Sequence, residues 1–192
     1  MSRTWRWLLV LGYPLLAANA LIAFLYAVLW CRAHRWAWRA GVLTFIARRT
    51  MIGNPGGQGW SWIVGFSSEA ERDRSDLRVH EFGHVVQEMV FAVAGVPLAL
   101  VPLSADRPVL GAVVGLTAGG AAFALVYGAT FFWYAAPELT RWVWAKVTGR
   151  GSQVFDWRPA YMKIPFEKQA YAKQDAYRYA SVDQRARTWG HR

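Results

Sequence analysis

Hydrophobic and polar positions divide this chain into long apolar runs separated by charged, aromatic-rich segments. Residues 7–30 carry no charged side chain. At 1.5 Å per residue, a helix of that length spans a hydrocarbon core of ~30 Å with some tilt, and Pro14 can kink it without ending it. Residues 89–103 form a second apolar run, which becomes long enough to cross once residues 85–88 are counted. A third, residues 108–137, is again free of charge. It carries Gly111, Gly115 and Gly119, whose spacing lines one helix face and lets another backbone approach closely. That face is a possible contact for a membrane partner or a second copy of the chain. The expectation is a mainly α membrane protein with about three transmembrane helices and a small cytoplasmic α+β portion.

Between the first two runs the pattern changes. Residues 42–51 and 60–66 are rich in β-branched and aromatic side chains, and Gly53-Asn54-Pro55-Gly56-Gly57-Gln58-Gly59 lies between them as a strong turn signal. This predicts a β-hairpin with Trp60, Trp62, Val64 and Phe66 on one face. Its edge could pair with an extended peptide, or the hairpin could lie on the bilayer. Ser68 with Glu71 three residues on reads as a capping box opening a helix that passes through residues 80–84 into the second apolar run. The predicted organisation is a transmembrane helix (1–30), a cytoplasmic hairpin and charged helix (31–84), a transmembrane hairpin (85–137) and a basic tail (138–192).

Charge sets the orientation. The chain of 192 residues has net charge +10. Three basic residues (Arg3, Arg6, Arg107) flank the runs on one side and nineteen on the other. The positive-inside tendency puts residues 31–84 and the tail together in the cytoplasm. The Ala18-Asn19-Ala20 segment resembles a signal-peptide cleavage site, but the following residues stay apolar, so an uncleaved span is expected. One cysteine, Cys31, excludes an internal disulfide framework and a multi-cysteine zinc site. The tail interleaves Tyr with Lys and Arg but holds no nucleic-acid motif; anionic lipid explains it with fewer assumptions, so no nucleic-acid partner is expected.

His80-Glu81-Phe82-Gly83-His84 is the chemically informative segment. Residues i and i+4 face the same way on a helix, so His80 and His84 can ligate one metal ion. Glu81 can act on water at that ion as general base without binding it. Chance placement of the chain's His and Glu residues gives about 0.003 expected matches to this pattern. Asp76 and Glu88 flank it as acids that could orient the ligands.

The segment Val79-His80-Glu81-Phe82-Gly83-His84-Val85-Val86 resembles the active-site helix of zincin metallopeptidases, especially membrane-embedded ones. Site-2 proteases often carry a similar His-Glu-Phe-Gly-His, but no Asp-Gly follows here to match their third ligand. Gluzincins take a Glu from a later helix. The resemblance implies zinc as cofactor, peptide-bond hydrolysis and a peptide or protein substrate. Glu167 is the favoured third ligand: Pro165 starts a helix well, and Phe166-Glu167-Lys168-Gln169-Ala170-Tyr171 is similar to the third-ligand helix of some zincins. Tyr171 stands where many gluzincins have Asp. Glu138, Asp156 and Asp175 are the competing ligands. Tyr171 is the first choice for a transition-state donor, ahead of Tyr161 and His34. His191 is read as a frayed terminus.

Two functions remain open on sequence. One is a zinc peptidase of a bacterial inner (plasma) membrane with its site facing the cytoplasm: His80, His84 and Glu167 on zinc, Glu81 as base. The other is a non-catalytic zinc-binding scaffold or interaction protein.

Overall fold

The computed structural model describes residues 18–51, 56–103, 107–150 and 155–188. The expectations for Arg3, Arg6, Pro14, the Gly53–Pro55 part of the turn, the link 104–106 and His191 lie outside these residues. In chain order the elements are α1 (Ala18–Leu25), running into a π-helical turn (Tyr26–Trp30), then β1 (His34–Arg39), β2 (Val42–Ile46), β3 (Gly57–Trp60) and β4 (Ile63–Phe66). Helices follow: α2 (Glu69–Asp73), α3 (Ser75–Leu103), α4 (Pro108–Val147), α5 (Arg158–Tyr161), α6 (Pro165–Tyr179) and α7 (Val182–Arg187).

The sheet order is β1-β2-β4-β3. Here the predicted hairpin is corrected. The 42–51 and 60–66 segments do lie side by side, but β2 and β4 pair in parallel, Leu43 opposite Ile63 and Ile46 opposite Phe66. Each instead forms a tight antiparallel hairpin with its other neighbour, β1 with β2 and β3 with β4. The turns were hidden because Ala40 and Ser61 take positive φ (50° and 55°), a conformation usually signalled by Gly or Asn. The glycines Gly57 and Gly59, read as turn, are strand residues.

Both faces of the sheet are covered, which is why the central strands β2 and β4 are almost wholly buried. Val42, Ile46, Val64 and Phe66 pack on Phe82 and Val85 of α3. Phe45 and Ile63 pack on Ala23, Ala27 and Cys31 at the opposite face. Each fully buried side chain of this size contributes roughly 1.5–3 kcal/mol. Val64 and Phe66 share a face as expected. Trp60 does not: it is paired with Ile63 and its ring lies 4.7 Å from that of Tyr26 on the α1 side.

The helix expected from Ser68 onward is broken. Ser68 accepts a hydrogen bond from the Glu71 N–H (3.2 Å), but Arg74 is extended (ψ 104°) and α3 starts afresh at Ser75. Arg74 bridges the break, reaching Glu71 and Asp76 at 2.9 and 3.2 Å.

α3 and α4 pack as a close antiparallel pair. A Cβ on Gly95 would lie 2.2 Å from the Gly115 carbonyl oxygen, and one on Gly119 2.2 Å from that of Phe91. The glycine face is therefore buried against α3 of the same chain rather than open to a second copy. α4 continues past Pro137 to Val147. Among the described helices it is the one long and apolar enough to cross a membrane; the apolar helix over Asn19–Trp30 is shorter. Leu21, Ile22, Leu29, Leu125, Phe132 and Trp133 are exposed.

Candidate metal centre

α3 places His80 and His84 one turn apart, ring centroids 5.0 Å from each other. α6 lies antiparallel across them, held along its length. Near the start of α3, Asp76 accepts from Gln174 (3.0 Å) and from Arg178 (2.7 Å). In the middle, Gly83 faces Ala170, and the small side chains allow close approach. At the far end, Gln87 donates to the Phe166 carbonyl (3.0 Å) and to Gln169 Oε1 (2.8 Å). Phe166 is itself set in an aromatic cluster with Phe91, Phe123 and Tyr127, centroids 5.1–6.0 Å away. The next residue, Glu167, is thereby carried between the two histidines.

Glu167 Oε2 lies 3.3 Å from His80 Nε2, and Oε1 lies 3.2 Å from His84 Nε2. Ligand atoms from all three fall within 4.8 Å of one another, and all three residues are buried. This group could hold a metal ion. His84 Nε2 and Glu167 Oε2 are buried without a hydrogen bond, a deficit an ion would correct. Imidazole nitrogens with a carboxylate oxygen are a donor set that suits zinc. Among the described residues no fourth His, Cys, Asp or Glu joins them.

The electrostatics agree with a cation site. Burial works against the Glu167 charge, but His80 and His84 outweigh it and hold the carboxyl well below the ordinary range. Burial likewise opposes a charged His84, yet Glu167 pushes it up to about 8. An ion between them would take the place of that proton.

Glu81 stands beside the three. It is 5% exposed, and burial pushes its carboxyl up against the pull of His80 and His84 and the hydrogen bond from the Gly59 N–H. β3, a terminal strand of the sheet, crosses directly over it. A Cβ on Gly57 would come within 2.9 Å of Glu81 Cγ and Oε1, and one on Gly59 within 2.8 Å of its backbone oxygen. The glycines mistaken for a turn are what lets the strand lie on this residue.

The remaining candidates separate cleanly. Glu138 pairs with Arg141 and Lys163. Asp156 accepts from the Arg158 N–H, and Asp175 pairs with Arg178. His34 Nδ1 meets the Ile46 carbonyl at 2.8 Å across the sheet. Tyr171 packs edge-on to His80, centroids 4.3 Å apart. Tyr161 reaches Glu167, and burial followed by that carboxylate pushes its hydroxyl far up.

Neither flanking acid orients a histidine. Asp76 serves the α3–α6 clamp. Glu88 accepts from the Ser61 N–H (2.6 Å) and Asn19 Nδ2 (3.2 Å), fixing the β3–β4 turn to α1 and α3. The orienting residue is Gln87, whose Oε1 is 2.9 Å from His84 Nδ1. Its position three after His84, on the same helix face, was the available signal. Tyr127 of α4, which donates to Glu167, was also missed. As a tyrosine within an uncharged run it gave only a faint signal. No family model matches the chain, and neither the curated proteins nor the solved structures contain a significant match to it.

Proposed function

We propose that this chain is a membrane-embedded zinc-dependent peptidase acting near the cytoplasmic membrane surface. The observation that carries the reading is the convergence of His80, His84 and Glu167 from two helices, with Glu81 adjacent to that set and outside it. A structural site has no use for such a carboxylate; a hydrolytic one requires it. Zinc bound there would supply Lewis acidity to a carbonyl and make water easier to deprotonate.

The chain's own residues then divide the work. His80, His84 and Glu167 hold the ion. Glu81, with its raised pKa, accepts a proton from water and passes it to the departing amine. β3 is a terminal strand with its Gly59 N–H on Glu81, and an extended peptide that adds to this side of the sheet would run beside that carboxylate. Tyr171, against His80, is the donor for the developing oxyanion. We read the apolar runs 7–30, 85–103 and 108–137 as three crossings, an expectation from the sequence that leaves residues 31–84 and the tail on one side; the packing of α6 on α3 is consistent with it.

The test is metal content and hydrolysis compared in the parent, His80→Ala and Glu81→Gln. The expected result is about one zinc per chain in the parent, lost in His80→Ala and kept in Glu81→Gln. Casein or a peptide library should be cleaved by the parent alone. Full hydrolysis by Glu81→Gln would overturn the base assignment. A second reading, a zinc-stabilised scaffold, is favoured by one feature: His80, Glu81, His84 and Glu167 are each under 9% exposed. It predicts zinc without hydrolysis in every variant that binds the metal.

A further inference from the structure

Away from the metal centre, one charged cluster has a construction of its own. At the end of the π-helical turn the Cys31 carbonyl accepts hydrogen bonds from the N–H groups of both Arg48 and Arg49, at 3.0 and 3.1 Å. Cys31 is fully buried, so this backbone junction is rigidly seated. The next residue, Arg32, sits at positive φ (50°). The junction brings Arg32, Arg48 and Arg49 to the rim of one concavity of about 400 Å³, which these three residues line. Arg49 also stacks on Trp30, its guanidinium carbon 3.9 Å from the ring centroid.

Neighbouring arginines on the same sheet are neutralised: Arg35 by Glu69 at 2.6 Å and Arg39 by Asp73 at 3.2 Å. Among the described residues, Arg32, Arg48 and Arg49 have no such carboxylate. Three guanidinium groups gathered by the backbone repel one another unless an anion joins them. Their planar forks match phosphate oxygens two at a time. The concavity opens where the apolar α1 surface ends, next to exposed Leu29 and Trp30, an aromatic at the level expected of a membrane boundary.

We infer that Arg32, Arg48 and Arg49 form a binding site for the phosphate headgroup of an anionic phospholipid. The acyl chains lie along the exposed side of α1 and the π-helical turn that continues it, over Leu21, Leu25 and Leu29. The headgroup ties the β2 end of the sheet to the bilayer. This rests on the membrane reading above but not on the metal or on hydrolysis.

The experiment uses the full chain, purified in detergent, stripped of lipid and followed by native mass spectrometry. The probes are dioctanoyl phosphatidylglycerol, dioctanoyl phosphatidylcholine and inorganic phosphate. The expected result is roughly tenfold or greater preference for phosphatidylglycerol over phosphatidylcholine, and no retained inorganic phosphate. The Arg32→Gln/Arg48→Gln/Arg49→Gln variant should lose that preference. Arg48→Gln alone should lose part of it, which keeps the test decisive if the triple variant misfolds. Arg35→Gln/Arg39→Gln, whose charges are already met by Glu69 and Asp73, should keep it. Equal binding of both lipids, loss of preference in the Arg35/Arg39 variant, or phosphate binding as tight as lipid would each overturn the site. Carbonate extraction of membranes reports separately on the membrane reading: release of the chain would sink that premise, whereas retention with failed lipid selectivity sinks only the arginine site.

Discussion

Oε1 of Gln87 lies 2.9 Å from Nδ1 of His84, and the amide's other end donates to two acceptors on α6. Because Nε2 of Gln87 is committed to Phe166 and Gln169, its oxygen must face the imidazole. Nδ1 of His84 is therefore the protonated nitrogen that donates, and Nε2 points at Glu167. One side chain fixes the tautomer of a candidate metal ligand and docks the helix that carries another.

Replacing Gln87 with Leu should weaken zinc binding by roughly 10–100-fold while leaving the helical content unchanged. Competition with a chromophoric chelator measures this. Gln87→Glu keeps an acceptor for His84 but loses both donations to α6, so it should recover only part of the affinity. Parent-like affinity in Gln87→Leu would remove the residue from the site.

Tyr127 and Tyr171 should behave oppositely. Tyr127→Phe removes a hydroxyl that donates to Glu167, so metal affinity should fall several-fold with turnover per bound metal little changed. Tyr171→Phe leaves the ring against His80, so metal affinity should hold while kcat drops roughly 10²-fold or more. Titrating metal and measuring kcat on the metal-saturated forms separates the two.

Gly59→Ala puts a methyl carbon 2.8 Å from the Glu81 backbone oxygen, which a flexible side chain cannot relieve. The strand must move away from α3. The expected cost is about 1–3 kcal/mol, seen as a lower Tm, together with a loss of hydrolysis larger than the loss of zinc. A full-activity Gly59→Ala protein would show that β3 need not rest on Glu81.

Asp76 gives an acid-sensitive clamp. Burial opposes its charge, but hydrogen bonds from Arg74, Gln174 and Arg178 prevail and hold its carboxyl well below the ordinary range. The unfolded chain therefore takes up the proton first as pH falls. Stability from this residue is present in full above about pH 4 and is lost as pH drops toward the depressed native value. Thermal unfolding from pH 7 to pH 3 should show a fall in Tm that is shallower in Asp76→Asn, which starts lower at pH 7 by about 1 kcal/mol.

Much of this centre was legible because it is local. His80 and His84 follow from helical spacing, Pro165 does open the helix bearing Glu167, and the Gly115/Gly119 spacing does mark a close helix contact. What escaped was decided by contacts distant in sequence. Gly57 and Gly59 look like turn residues until α3 is packed beneath them. Ala40 and Ser61 look unsuited to tight turns because the sheet, not their own preference, sets their φ. Gln87 and Tyr127 have ordinary local patterns, and only the arrival of α6 gives them partners. The pairing of β2 with β4 could not be read from either strand, since both are short and largely apolar, with Thr44 the one polar side chain, and fit parallel or antiparallel neighbours equally well.

The donors of the metal centre also impose an order of assembly. His80 and His84 precede α4 in the chain and Glu167 follows it, so the three candidate ligands cannot meet until α4 has been made and the chain turned back by α5 and α6. During synthesis Glu81 sits on a helix that has no third ligand to complete the site. On the peptidase reading, hydrolytic power would thus be withheld from the growing chain until α6 has folded against α3.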